Sequence, residues 1–142
     1  MSGKAESDSR WREISLVLTD DAGIAEINRR LFGRDSATDV ISQAYAPMPG
    51  EGDAQTGEIV VNAERAVALG KKGYWTASHE LALYIAHGCD HLAGGRDSTA
   101  EGRRRMRRRE LRWLRLIAGE GFPGKLITPH PKRRMRRKVR NV

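Results

Sequence analysis

The chain has 142 residues, a length that suits one domain with a single hydrophobic core. Its one cysteine, Cys89, cannot form an internal disulfide, which favours a reducing compartment. No apolar run approaches the roughly 20 residues of a membrane span, and the polar N-terminus lacks a signal-peptide core. We therefore expect a cytoplasmic protein with no membrane partner.

The net charge of +8 is distributed unevenly along the chain. Residues 1–100 hold ten Lys/Arg and fifteen Asp/Glu, whereas residues 101–142 hold sixteen Lys/Arg and three Asp/Glu. Such segregation indicates a surface that binds a polyanion, with RNA as the commonest candidate. A solvated basic tail that improves solubility would produce the same pattern.

Hydrophobic periodicity, caps and turn residues predict three strands and four helices. The first three predicted elements are a strand at 13–18, a helix at 22–32 ended by Gly33, and a strand at 40–44. A loop at 46–56 leads to a strand at 58–61 and then to a helix at 63–69, which is capped by Asn62 and stopped by Gly70. An apolar helix follows at 76–91, and a last helix begins at a capping-box pattern in 98–101 and ends near 118.

This order predicts an α/β (α+β) fold in which a small mixed sheet of three to four strands packs with four to five helices in a single domain. The domain proper is predicted to span residues 13–118. We expect a flexible N-terminus at 1–12. Residues 119–142, rich in proline, glycine and basic residues, are predicted to form a disordered basic tail.

The segment from His87 to Asp97 combines three possible metal ligands with a glycine pair. On a helix, His87 and His91 share one face, with side chains about 5–6 Å apart. Gly94 and Gly95 permit positive φ, so they can end the helix and return Asp97 as a third ligand. Three protein ligands and an open position are typical of catalytic zinc.

Other interpretations of these residues remain open from spacing alone. A histidine pair at this spacing also arises by chance, and a buried histidine is more often only hydrogen-bonded. Asp97 can instead cap the last helix, although the serine and threonine after it can do the same. The zinc-peptidase motif H-E-x-x-H needs a glutamate where this chain has Gly88, and Asp90 points about 100° away from His91 on a helix.

The same segment resembles the hallmark H-G-x-L-H-L-x-G-Y-D-H of the YbeY family, bacterial metal-dependent endoribonucleases of ribosomal RNA maturation. Five positions of the hallmark match in register, namely His87, Gly88, His91, Leu92 and Gly94. Further segments resemble the family in the right order, from about residue 13 to 115. They are Asn28 with Phe32-Gly33-Arg34-Asp35 and Thr38-Asp39-Val40-Ile41-Ser42, then Gly57-Glu58-Ile59-Val60-Val61 with Glu64-Arg65-Ala66, and finally Glu101, Met106 and Glu110.

The resemblance implies a small α/β fold with one Zn²⁺ per chain, held by His87, His91 and Asp97. It implies cleavage of single-stranded RNA by a zinc-activated water, with both histidines contributing to catalysis through that water. The implied role is maturation of the 16S rRNA 3′ end and ribosome quality control in the bacterial cytoplasm. The implied partners are rRNA and the small ribosomal subunit.

The chain departs from the family pattern around the predicted site. Asp97 replaces the third histidine, and this anionic ligand should leave the metal a weaker Lewis acid. Phe32 falls where the family has a functionally important arginine, and Arg34 is a nearby candidate for contacting phosphate. We expect the family's N-terminal strand and helix to be missing. The alternatives are a divergent nuclease, a catalytically weakened protein that still binds RNA or the ribosome, and a zincin-like peptidase.

Overall fold

A computed structural model of the protein describes residues 11–73, 75–118 and 126. Its elements are β1 (Trp11–Thr19), α1 (Asp21–Phe32), β2 (Val40–Tyr45), β3 (Gln55–Asn62), α2 (Ala63–Lys72), α3 (Ala77–Leu92) and α4 (Ala100–Ala118). The predicted α+β class is confirmed. The first ten residues of the predicted flexible start lie outside the described residues, and its last two belong to β1. The predicted basic tail also lies outside the described residues, except for Leu126.

The three strands form one mixed sheet in the order β1-β3-β2. Strand β3 lies in the middle, parallel to β1 and antiparallel to β2. Alternate residues of β3 face opposite sides of the sheet, as strand geometry requires. Val60 packs with Ile24 of α1 and Ile41 of β2. Ile59 and Val61 pack on the other side, in a cluster whose helical members are Ala66, Leu81 and Tyr84.

Helix α3 therefore lies between the sheet and α4. A second apolar cluster joins α3 to α4 through Leu83, Ala86 and Leu114. Among the described residues, no helix is both long enough and apolar enough to cross a lipid bilayer.

Helix α3 lies very close to the sheet at Gly88. A Cβ atom added there would lie 2.7 Å from Ile59 Cγ2, which is closer than van der Waals contact allows. The Ser42 hydroxyl donates a hydrogen bond of 3.1 Å to the Gly88 carbonyl. Only glycine allows this approach, which places the C-terminal half of α3 over β2 and β3.

The predicted end of α2 and the predicted capping box of α4 are wrong. Helix α2 continues past Gly70 to Lys72, and a Cβ at Gly70 would lie 2.4 Å from the Ala77 backbone nitrogen. Gly70 thus permits close packing against the start of α3 and does not stop α2. The N-cap of α4 is Thr99, whose Oγ1 accepts a 3.0 Å hydrogen bond from the Gly102 N–H. Because Glu101 then stands one position too early, the predicted capping box does not form.

Candidate metal centre

The two histidines lie one turn apart on the same face of α3, as their spacing predicts. The Nε2 atoms of His87 and His91 are 3.0 Å apart, and their rings are nearly perpendicular at 86°. Each side chain is 31% exposed. The pair therefore stands at the rim of the core, where a solute can reach both Nε2 atoms.

The two glycines after α3 turn the chain by different means. Gly94 has a φ of +98°, the left-handed conformation that glycine adopts without strain. Gly95 does not have a positive φ, so of the two glycines that permit this conformation only Gly94 adopts it. Its N–H donates a 2.8 Å hydrogen bond to the Asp90 carbonyl, and an added Cβ would lie 2.5 Å from Asp90 Oδ1. Gly95 thus lets the returning loop pack directly against α3.

This loop brings the Asp97 carboxylate to the histidines. Asp97 Oδ2 lies 3.5 Å from His91 Nε2 and 3.9 Å from His87 Nε2. Thr99 provides the cap of α4, so Asp97 does not serve as its N-cap. The three predicted ligand residues are brought together, with their donor atoms all within 4.8 Å of one another.

The spacing of these donor atoms suits a small tetrahedral cation. With metal–ligand bonds of about 2.0–2.1 Å, neighbouring ligands of a tetrahedral zinc are about 3.4 Å apart. The three distances in the cluster, 3.0, 3.5 and 3.9 Å, lie on both sides of that value. Two imidazoles and one carboxylate are also ordinary zinc ligands. The residues present therefore fit a zinc ion without a large rearrangement.

Glu110 of α4 fixes the orientation of His87. Its Oε1 atom lies 2.6 Å from His87 Nδ1, and the residue is only 1% exposed. This hydrogen bond raises the pKa of His87 against the opposing effect of burial, with the charge of Glu110 as a further cause. When Nδ1 donates to Glu110, the lone pair of Nε2 is left facing the cluster, the usual arrangement behind a metal-binding histidine.

Sequence reasoning placed Glu110 in a matching helix but missed this role. Met106, Glu110 and Leu114 follow each other at four-residue intervals, and all three are buried. The sequence signal for this role of Glu110 was a carboxylate within an apolar helical stripe, because a buried carboxylate needs a hydrogen-bond partner.

Asp90 is turned away from the cluster, as its helical position predicts. It is 1% exposed, and its Oδ1 accepts hydrogen bonds from Arg109 Nη2 at 2.7 Å and Nε at 3.2 Å. Asp90 therefore ties α3 to α4 and has no access to a substrate. Adjacent residues of α4, Arg109 and Glu110, thus hold Asp90 and His87 of α3.

Two clefts meet at the cluster. The first has a volume of about 610 Å³ and extends toward α1 and β2, and the predicted phosphate-contacting residue Arg34 lies on its wall beside Phe32. The second, of about 510 Å³, extends along α4. Both clefts are lined by His87 and Asp97.

Comparison with known proteins identifies the family. The model of the family described as Endoribonuclease YbeY matches residues 2–118 of the chain. The chain belongs to the YbeY family. The resemblance recognised in the sequence is thereby confirmed.

Individual YbeY relatives align with most of this chain. A protein named Endoribonuclease YbeY from Moorella thermoacetica is 37% identical over 128 residues, covering 83% of this chain and 79% of the relative. One of the same name from Anaeromyxobacter sp. is 35% identical over 112 residues, covering 79% of this chain but only 56% of the relative. A solution structure from Thermotoga maritima aligns with a TM-score of 0.47 and 22% identity, covering 79% of this chain and 77% of that one.

Two positions at which this chain departs from the YbeY pattern lie in the His87/His91/Asp97 cluster and on the wall of its first cleft. Asp97, at the third histidine position, contributes a carboxylate oxygen to the cluster. Phe32, at the family's arginine position, is 50% exposed on the cleft wall. The position after His87, where a zinc peptidase carries its glutamate, is Gly88, which has no room for a Cβ. This packing disfavours the peptidase alternative.

Proposed function

We propose that this protein is a metal-dependent endoribonuclease that cleaves single-stranded RNA, with one Zn²⁺ held by His87, His91 and Asp97. The observation that carries the proposal is the meeting of three suitable donor atoms within 4.8 Å where two open clefts join. Membership of the YbeY family supports the reaction class.

The ligand set supports a catalytic site more than a structural one. Three protein ligands leave a tetrahedral zinc one open position, whereas structural zinc sites are closed by four protein ligands. A zinc ion bound here would lower the pKa of a coordinated water and stabilise negative charge on phosphate oxygens. Glu110 keeps the His87 ring in the orientation that this requires.

The first cleft provides groups for the RNA itself. Arg34 is exposed on its wall, and we propose that it contacts a backbone phosphate. The half-exposed ring of Phe32 offers a surface on which an unpaired base can stack. A stacked base requires a single strand, because the bases of a duplex are already stacked on each other.

We further propose that the substrate is ribosomal RNA, with maturation of the 16S rRNA 3′ end and ribosome quality control as the role. The small ribosomal subunit would be the partner and the bacterial cytoplasm the location. The names of the relatives support an RNA substrate. The excess of basic residues in 101–142 supports binding to a polyanion of this kind.

The test compares RNA cleavage by zinc-loaded wild type with that of two ligand variants, His87→Ala and His91→Ala. We expect wild type to cut a labelled single-stranded RNA, and either variant or added EDTA to abolish cutting. The matched control is His79→Ala, on the same helix but two turns from the cluster, which should keep activity. A purified wild type that binds no metal and leaves RNA intact would refute the proposal.

The second candidate function is a fold-retaining RNA- or ribosome-binding protein without turnover, favoured by Phe32 at the arginine position. It predicts RNA binding that falls steeply with salt, is unchanged by EDTA, and is accompanied by no cleavage. The same set of samples, measured for binding and for cutting, distinguishes the two functions.

A further inference from the structure

The second cleft is lined by one face of α4. Its walls are formed by His87 and Asp97 of the metal cluster and by five residues of α4, namely Ala100, Arg103, Arg104, Arg107 and Glu110. Each of these α4 residues has another member of the set three or four positions away along the helix, so they share one face. Three arginines therefore extend from the cluster along α4.

These arginines differ from the other basic residues of the helix in their partners. Arg105 lies 3.8 Å from Glu101, and Arg109 is bound to the buried Asp90. Arg104 and Arg107 are exposed, and no carboxylate lies within ion-pair distance of either in the part of the chain that the structure describes. Their guanidinium groups are therefore available to an anion in the cleft.

Arg103 connects this face to the metal cluster. Its Nη1 donates a 3.1 Å hydrogen bond to the backbone carbonyl of Asp97. Only one of the five N–H donors of a guanidinium is used in that bond, so further donors are left for a second partner. Arg103 thus supports the loop that carries Asp97 and faces the same cleft as Arg104 and Arg107.

The crowding of positive charge has a cost unless an anion is bound. Like charges three or four residues apart on a helix repel each other and destabilise it. Arg107 stands four residues from Arg103 and three from Arg104, so this face contains two such pairs. A phosphate backbone lying in the cleft would offset both repulsions, because each arginine would then lie beside a negative charge.

We propose that Arg103, Arg104 and Arg107 form a phosphate-binding subsite that holds single-stranded RNA in the α4 cleft, beside the metal cluster. This proposal rests on the proposed function, because it takes the reacting phosphate to lie at the cluster. The RNA strand then runs from the Arg34 side of the cluster to the α4 side, with backbone phosphates bound in both clefts.

The test uses two double variants of equal charge change in the zinc-loaded full chain. Arg104→Gln with Arg107→Gln removes two cleft arginines and leaves the Arg103–Asp97 bond in place. The matched control, Arg108→Gln with Arg112→Gln, removes two exposed arginines of the same helix that do not line the cleft. Fluorescence anisotropy with a labelled 2′-O-methyl RNA oligomer, which keeps the phosphate backbone, gives the affinity at several salt concentrations.

The expected result is a smaller salt dependence for the cleft variant. Each phosphate contact on a single strand contributes a slope of about −0.7 in log K against log salt concentration, so losing two contacts should make the slope shallower by about 1.4. With 1 M salt as the reference at which the affinities coincide, the affinity at 0.1 M salt should fall by about 25-fold. The control should retain most of the wild-type slope. Equal losses in both variants, no loss in the cleft variant, or no salt-dependent binding by wild type would overturn the proposal.

This outcome is independent of turnover. Cleavage of unmodified RNA by wild type, measured in parallel, tests the proposed function. If wild type cuts RNA but the two double variants bind alike, only the subsite is wrong. If wild type does not cut but the cleft variant selectively loses affinity, only the proposed function is wrong.

Discussion

The hydrogen bond between Glu110 and His87 makes a quantitative prediction about zinc affinity. Glu110→Gln keeps the size and shape of the side chain, so it leaves no cavity in a site where Glu110 is 1% exposed. It replaces a charge-assisted bond of 2.6 Å with a neutral one. Hydrogen bonds to charged groups contribute about 1.5–3 kcal/mol and neutral ones about 0.5–1.5 kcal/mol, so the loss is about 1–1.5 kcal/mol. The zinc dissociation constant should therefore rise about tenfold, at the lower end of the 10–100-fold typical of such outer-shell changes.

The assay is a competition titration of zinc against a chromophoric chelator. It is performed at about pH 8, because Glu110 raises the pKa of His87 and protons would otherwise compete with the metal for that ring. Glu101→Gln, an exposed position at the start of the same helix, is the matched control and should leave zinc affinity unchanged. If Glu110→Gln unfolds at the wild-type temperature and still binds zinc with the wild-type affinity, the orienting role of Glu110 is refuted.

Three further predictions concern the loop, the core and the cleft. Gly95→Ala should weaken zinc binding and lower the free energy of unfolding by about 1–3 kcal/mol, because the new Cβ would be 2.5 Å from Asp90 Oδ1 and would push the Asp97 loop outward; unchanged zinc affinity on titration would contradict this. Burial raises the pKa of the Tyr84 phenol in the folded state above its value of about 10 in the unfolded chain. Above about pH 10 the unfolded chain therefore loses this proton more readily than the folded protein, and the free energy of unfolding falls as pH rises. Urea unfolding between pH 9 and 11 should accordingly show a shallower loss of stability in Tyr84→Phe than in wild type, and parallel curves would argue against it. Phe32→Ala should weaken single-stranded RNA binding by about 1–3 kcal/mol if one base stacks on the ring, measured by anisotropy with zinc-loaded protein; an unaltered dissociation constant would exclude stacking.

Local sequence patterns predicted the elements because their signals are local. Alternation and helical spacing identified the three strands and four helices, and Asn62 does cap α2 by accepting a 3.0 Å hydrogen bond from the Arg65 N–H. The loop geometry at Asp97 was predictable for the same reason, since a glycine with positive φ, Gly94, comes directly after the C-cap of α3. The predicted stop at Gly70 failed because close packing against Ala77, a tertiary contact, gives that glycine its role.

The parts of the site that sequence did not reveal depend on how α4 packs against α3. Glu110 reaches His87 from 23 residues away, and Arg109 reaches Asp90 from 19 residues away. Neither separation corresponds to a helical or strand period, so no pattern in the sequence pairs them. The division of the α4 arginines into a cleft face and an outer face likewise requires the orientation of the helix, which composition alone does not give.

The central claim, that a single zinc at this cluster supports RNA cleavage, is tested most directly by titrating zinc into the metal-free protein while measuring the rate of single-stranded RNA cleavage. The rate should rise in proportion to added zinc and level off at one equivalent per chain. Asp97→Ala should need a clear excess of zinc to approach its own plateau. A rate that does not depend on zinc, or an Asp97→Ala curve that coincides with wild type, would contradict the account.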